Sequence, residues 1–578
     1  MKSCIKTAVL LLVVLSVVLT VQASAGWKPR VVLGPGEGPA HQEEPYHQSW
    51  HRTLSPDTLY VLTGFYYVDS LYSITIPAGT VVMGDTTATL VIQRGAQIHA
   101  TGTQERPVVF TSKKDPGQRN PGDWGGVIIL GEAPVNRVEP VIEGGLVEGH
   151  FGGSDPDDDS GEFYYCRIEF PGHRIEEGNE VNGLTMGGVG RETEIHHVQV
   201  SYSNDDSFEW FGGNDDQDYL VVLGGLDDVF DTDYGHTGRH QFCFAVRDPL
   251  WSDLEGESNG FESDSWKPPA LTPPITAPVF ANCTIVGPER TNAIVGNLPN
   301  PNAWEYGAVI RRAARNKLHN SVIMGFPWGL SIRDQLTHEA AVADEMNFHY
   351  TSIQASALAP GSTTVHEQSR WPGTTTPPGV DAWFAAEPGA NAIHSQPRMP
   401  DDVGLTDMSD LNNPNPIPLA TSELVTVPAN WAHPDVSTYF QQVTYRGAFD
   451  PGRGMESQWT AGWTNFDPQN TDYDPDAVGV EETVATSRSL SQNVPNPFNP
   501  VTKIAYAVEQ GGPATIEITN VAGRLVKTFH LGELNAGAEG SVVWDGMDDA
   551  GEQCASGVYL YRISTPHEAD TRRMVMLK

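Results

Sequence analysis

The chain has 578 residues, with 73 Asp and Glu against 35 Lys and Arg, for a formal net charge of −38. That length accommodates two or three domains with cores of their own, and so acidic a chain repels phosphate backbones, which excludes nucleic acid as a partner and favours divalent cations. Five cysteines exclude the dense disulfide framework of small secreted scaffolds, while 58 glycines and 43 prolines point to an all-β chain with many turns.

In chain order, Lys2 and Lys6 precede an apolar run from Ala8 to Val21 and an "ASA" site before Gly26. This order is that of a secretory signal peptide, residues 1–25, cut after Ala25. The run is too short to span a bilayer comfortably and no later stretch is a better candidate, so the mature chain is expected to lack a transmembrane segment. Cys4 lies in the basic region, which argues against a lipoprotein anchor. The expected location is secreted or cell-surface. Residues 26–54 form an N-terminal extension, after which "LYSITIPAGTVVMG", "ATLVIQRGAQIHATGT", "RPVVFTS" and "GDWGGVIILGEAPVN" alternate short β-type runs with glycine turns.

A repeat then emerges. "FYYCRIEF", "IHHVQVSY", "FANCTIVG" and "LHNSVIMG" share one layout, and each is followed by a second strand: "NGLTMGG", "DSFEWFGG", "DVFDTDYG", "NGFESD", "YGAVIRR", "WGLSIRD". Phe208 and Phe230 are 22 residues apart, and Val309 and Leu330 are 21 apart. Short strands at this period, without helical periodicity, predict a parallel β-helix over residues 55–334, in which stacking of coils builds the core. Leu184, Phe208, Phe230, Phe261, Val309 and Leu330 would form one internal ladder. Cys166 and Cys283 share a column of the other strand as small buried hydrophobes, and Asn282 and Asn320 align as a stacked-amide pair. Trp210, on the Phe208 side, is expected in the core.

This register puts acids in columns. Glu209, Asp231 and Glu262 follow the three phenylalanines on the outer face, and Phe211, Asp233 and Asp264 lie two residues on. Carboxylates on neighbouring strands about 4.8 Å apart repel by roughly 3 kcal/mol at an effective dielectric near 20. They call for cations, shared protons or arginines. Continuing the column beyond Asp264 gives Arg312 and then Arg333. Three uses of the face stay open: a structural one, with Ca2+ or arginine tying coils together; recognition of an extended polysaccharide, with Trp328 as a stacking platform; and catalysis. The last would make the chain an extracellular polysaccharide lyase or glycoside hydrolase using acids on the β-helix face. Asp155, Asp157 and Asp159, followed by Gly161 and Glu162, have the spacing of a calcium loop, with a flexible acidic loop as the alternative. His196 and His197 are adjacent on a strand, face opposite ways and cannot share one metal.

Residues 335–476 lose the repeat and read as an irregular cap with loops over the end of the solenoid, with a helix around 421–442. After a linker, 477–488, six or seven alternating strands in 489–578 fit a β-sandwich. Here "LSQNVPNPFNPVTKIAYAV", "ITNVAGRLVKTF", "WDGMDDAGEQCASGVYLYRI" and "MVMLK" resemble a type IX secretion C-terminal sorting domain, a relative of the immunoglobulin-like domain of flagellar hook-capping proteins. That resemblance implies recognition by outer-membrane secretion machinery. The middle, "IPAGTVV", "GDWGGVIILGEAPVN", "NGLTMGGVG", "VQVSYSNDDSFEWFGG", "DDVFDTDYG" and "TAGWTNFDP", resembles secreted bacterial proteins similar to right-handed, pectate-lyase-type parallel β-helices. It implies a fold and a location and carries no activity. The sequence thus predicts an all-β chain, a right-handed parallel β-helix followed by an Ig-like β-sandwich.

Overall fold

A computed structural model describes residues 28–34, 46–473 apart from 145, 147, 177–178, 254–256, 368–378 and 390–391, and most of 490–576. The expected signal peptide and the linker 477–488 lie outside the described residues. The described residues between 30 and 355 wind into a parallel β-helix whose strands stack in three ladders. The first includes Gln97–Thr101, Arg239–Gln241, Val279–Ala281 and Lys317–His319; the second includes Val81–Gly84, Phe244–Val246, Thr284–Val286 and Val322–Phe326. Three longer strands, Gly161–Glu169, Glu194–Ser201 and Gln217–Leu223, each serve both ladders. Among the described residues the third ladder has ten parallel strands, from Tyr46–Gln48 to Trp328–Arg333. The extension 26–54 already supplies strands, Arg30–Leu33 and Tyr46–Gln48, so winding begins before residue 55.

The chain turns between the first two ladders at one residue per coil, held left-handed. Tyr165, His197, Tyr219, Phe242, Asn282, Asn320 and Tyr350 all have φ between +47° and +62°. Such a residue breaks strand alternation. This is why His196 and His197 do not diverge as strand neighbours would: their Nδ1 atoms lie 2.8 Å apart. The column is lined with rings, Tyr165 on His197 and His197 on Tyr219 at 4.3 Å, and Tyr219 on Phe242 at 5.2 Å.

The third ladder carries Leu184, Phe208, Phe230 and Phe261 in direct register, all buried. The next partner is Ala308, not Val309, and Leu330 follows it. The sequence register is therefore one residue out across the insertion after Phe261. Val309 stays buried by packing outside the tube with Tyr306 and Ala359. Trp210 lies in the core between Phe208, Phe230 and His240. Cys166 and Cys283 are buried free thiols; Cys166 pairs through Val198 to Leu220, and on the next coils Cys243 and Cys283 precede the paired residues Phe244 and Thr284.

The region after 334 does more than cap. The strand Ser352–Ala355 extends the second ladder by one coil, and the helices Gln335–Val342 and Val380–Ala386 close the end, with Ala340, Ala341, Val380 and Phe384 in the main core. The predicted helix over 421–442 shrinks to Glu423–Thr426, because the chain beyond it is a strap that follows the solenoid instead of coiling on itself. It runs back along the coils. Asn320 exchanges two hydrogen bonds with Asn430 (3.0 and 2.8 Å), Gln241 two with Gln441 (2.8 Å each) and Gln199 two with Asn465 (2.7 and 2.8 Å). Asn282 donates to Tyr445 and Gly447 carbonyls at 3.0 and 3.1 Å. Asn282 and Asn320 thus grip strap backbone and do not bond to each other, while Gln241 Nε2 donates to Asn282 Oδ1 at 3.0 Å. Trp463 and Phe449 bury against Val221, Phe244 and Val286.

The C-terminal unit is a sandwich of a two-stranded sheet, Thr502–Val508 with Ala538–Trp544, and a four-stranded sheet built on Gly512–Asn520 and Gly557–Ser564. Leu490, Phe498, Ile516, Trp544, Tyr561 and Met574 fill its core.

Candidate functional site

The outer face of the third ladder changes character along the axis. On the early coils Tyr67, Val91, Ile128 and Leu130 are covered by Ile142, Leu146 and Phe151 from the loop after Leu130. On the following coils the face becomes acidic. Thr185, Glu209, Asp231 and Glu262 are in one register column, and Gly187, Phe211 and Asp233 in the next on the same face. Just before these strands, the turns contribute Asp205–Asp206 and Asp227–Asp228. The backbone N–H of Asp228 donates to Asp206 Oδ1 (2.8 Å), and that of Asn259 donates to Asp228 Oδ1 (2.7 Å), so the turn acids form a stair across three coils.

Two groups of carboxylates converge, each with oxygens within 4.8 Å of one another: Asp206, Glu209 and Asp231, and Asp205, Asp206 and Asp227. Asp206 belongs to both. Among the described residues no ion pair reaches Asp206, Glu209, Asp227 or Asp231. Glu209 accepts from the Asn182 amide, while Asp231 Oδ1 is buried without a hydrogen-bond partner. Arg247, fully buried nearby, donates to the carbonyls of Leu226 (2.8 Å), Asp227 and Asn259 instead of to carboxylates. Burial first, and then neighbouring carboxylates, hold the carboxyls of Asp206, Glu209, Asp227 and Asp231 well above their ordinary range. Asp233 is pushed to about 7 by burial and by Asp264. Burial also raises Asp228, to about 6, against the lowering effects of the Asn259 N–H and Arg247.

Farther along the same face arginines answer the acids. Arg311 binds Asp264 through Nε (2.8 Å) and Glu262 through Nη2, and Arg312 binds the other Asp264 oxygen. The expected column placed Arg312 after Asp264. The strand register instead makes Arg311 the column member, paired with Arg333, while Arg312 takes φ +56° and turns out of the strand. Arg333 is held by Glu257 (2.8 Å), Glu305 (3.4 Å) and Glu367 (3.6 Å) and lies over the Tyr306 ring. Trp328 is half-buried against that same ring, 5.2 Å between centroids. Although burial opposes it, Glu262 and Asp264 hold the Arg311 guanidinium above its ordinary value.

Asp155, Asp157 and Asp159 are brought close in sequence but not to one point. Asp155 accepts from the Asp157 N–H (3.1 Å), Asp157 pairs with Arg191 (3.0 Å), and Asp159 accepts from Gln97 and from Gly161 N–H (2.9 Å each). The residue that organises this loop is the buried Asp158, which accepts from Glu132 N–H, Ser160 and Gly190 N–H. Sequence reasoning missed Asp205, Asp206, Asp227 and Asp228. The signal was present as Asp-Asp doublets beginning three residues before Phe208 and Phe230.

Fold and site together define a parallel β-helix protein with a partly uncompensated acidic face. Residues 46–378, more than half of the chain, match the Pectate-lyase like beta helix domain, and the chain belongs to that family. Residues 501–568 match the FlgD Ig-like domain. No curated protein matches the chain. Solved structures with local likeness include PorZ, titled an essential bacterial surface component of the type-IX secretion system of Porphyromonas gingivalis. It is 22% identical over 15% of this chain and 11% of that one, with a TM-score of 0.12. Dimeric latent PorU from Porphyromonas gingivalis is 21% identical over 15% and 9%, with a TM-score of 0.13. The chain therefore spans only a small part of either neighbour. No helix among the described residues is long and apolar enough to cross a membrane.

Proposed function

We propose that this chain is an exported protein, secreted or held at the cell surface, whose β-helix is a calcium-stabilised binding and structural component. Its C-terminal sandwich is read as the segment that outer-membrane secretion machinery recognises. One observation carries the calcium reading: among the described residues, Asp206, Glu209 and Asp231 converge from successive coils without an ion pair to any of them, and a buried Asp231 oxygen has no partner. Hard carboxylate oxygens in a cluster of this kind suit Ca2+, which accepts six to eight oxygens in flexible geometry. An ion there would join coils that otherwise repel. The ligand proposed for the exposed part of the face is an extracellular polysaccharide.

Lyase chemistry, the competing reading, needs a base free to take a proton. Arg311, Arg312 and Arg333 are each engaged by carboxylates, which favours binding over turnover. Polysaccharide retention by the purified chain, with calcium and with chelator, tests the ligand, and unsaturated products or new reducing ends would overturn the binding reading. The export reading is supported by the signal-like N-terminus and by the match of residues 501–568. Deletion of residues 489–578 is expected to leave the protein in the periplasm; normal display of the truncated form would refute it.

A further inference from the structure

A second convergence lies on the opposite side of the coil. His319 ends the strand Lys317–His319, one residue before the left-handed Asn320, and His349 occupies the same position one coil later, where its carbonyl accepts the Asn320 N–H at 3.0 Å. Side chains at this position face the strap, and the strap answers with His433. One ring nitrogen from each of the three lies within 4.8 Å of the others. The rings meet at centroid distances of 5.2 Å (His319 to His433), 4.8 Å (His349 to His433) and 5.4 Å (His319 to His349). His319 is 1% exposed, yet its Nε2 has no hydrogen-bond partner. A buried donor or acceptor left in that state costs free energy that a ligand bond would recover.

We propose that His319, His349 and His433 form a site for a zinc-class divalent transition metal, completed by the Asp344 carboxylate, which fastens the strap to the last coils. Imidazole nitrogens suit zinc and its neighbours, whereas the acidic face offers only oxygen ligands suited to calcium. Asp344 is the fourth ligand: its oxygens lie 3.6 Å from Nε2 of His349 and of His433. Asp435 lies 3.3 Å from His433 Nδ1 and 3.1 Å from Lys317 Nζ, so it holds the far side of the imidazole and neutralises the nearest lysine. Glu387, 3.2 Å from His349 Nε2, is a further oxygen that an incoming ion would draw on or displace.

The test uses the full chain, stripped with chelator and then kept in excess calcium so that oxygen sites are filled. Zn2+ is titrated by calorimetry and Co2+ by visible absorption. One tight equivalent is expected, with the intense cobalt bands of low-coordinate nitrogen ligation. His433→Gln, whose ring is 20% exposed on the strap, is expected to weaken Zn2+ by about a hundredfold or more and to abolish those bands. Zn2+ should also slow proteolysis of the strap in the wild-type chain and not in the variant. His319→Gln repeats the test from the solenoid side. Absence of a tight Zn2+ equivalent, an octahedral all-oxygen cobalt spectrum, or equal affinity in His433→Gln would each overturn the site.

Discussion

The two halves of the acidic face solve one electrostatic problem differently. Around Glu262 and Asp264 the stacked carboxylates are met by Arg311 and Arg312, covalently supplied and always charged. On the two preceding coils, Asp206, Glu209 and Asp231 converge without an ion pair among the described residues, and their carboxyls are raised by burial and by neighbouring carboxylates. The arginine half is complete in the polypeptide. The other half needs shared protons or a bound cation, so it should respond more strongly to solution conditions than the arginine half, where Glu262 is also raised but paired with Arg311.

Removing an arginine should have the largest effect. Arg311→Ala leaves Glu262 and Asp264, both largely buried, without their main partner, and breaking a buried pair from one side typically costs about 3–5 kcal/mol. Chemical denaturation of the full chain reads this directly. The comparison sharpens further if calcium partly rescues the variant, since the uncompensated cluster would then extend by one coil. A loss below about 1 kcal/mol would show that the arginines contribute as little as exposed surface pairs do.

Calcium comes next. At a hundredfold excess over its dissociation constant, an ion bound only to the folded state adds about 2.7 kcal/mol. Melting temperature should rise in calcium relative to chelator, and less in magnesium, which demands a tighter octahedral shell. Asp231→Asn should abolish the response while leaving the metal-free chain as stable as before or more so, because it removes a repelled charge. Identical melting in calcium and chelator would sink the cation reading of this half.

The metal-free chain should also show an inverted pH response. Asp228 at about 6 and Asp233 at about 7 lie above their ordinary carboxylate values, so the folded state binds more protons than the unfolded one. Their contribution is fully present below about pH 4 and is lost as pH rises through 6 and 7. The slope is about 1.4 kcal/mol per pH unit for each excess proton. Calcium, which binds the ionised form, should flatten or reverse this trend. Metal-free stability rising between pH 5 and 7 would contradict it.

How much of this was legible follows from what each feature depends on. The phenylalanine ladder was readable because Phe208, Phe230 and Phe261 repeat with an acid, Glu or Asp, on the following residue. The register failed at "YGAVIRR" because Ala308 and Val309 are both apolar, and after a long insertion alternation cannot choose between them. A one-residue slip then moves the column from Arg311 to Arg312. The strap was hidden for another reason. Its backbone is satisfied by side-chain amides of Gln199, Gln241, Asn282 and Asn320, so it needs no period of its own. His319, His349 and His433 share no motif, because their meeting depends on where that strap lies.

The smallest expected effect tests whether acid spacing alone makes a site. Asp155, Asp157 and Asp159 have the spacing of a calcium loop, yet each carboxylate is turned to a different partner in the structure. The Asp157–Arg191 pair is 3.0 Å long with both side chains more than half exposed (61% and 51%), and pairs of that kind contribute about 0–1 kcal/mol. Asp157→Asn should therefore shift stability by less than about 1 kcal/mol and leave the calcium-dependent melting shift intact. Asp158→Asn, one residue on, should cost more, because the buried carboxylate accepts from two backbone N–H groups and Ser160. If Asp157→Asn instead removed the calcium response, the ion would belong to this loop, and the convergence of Asp206, Glu209 and Asp231 would be held by shared protons alone.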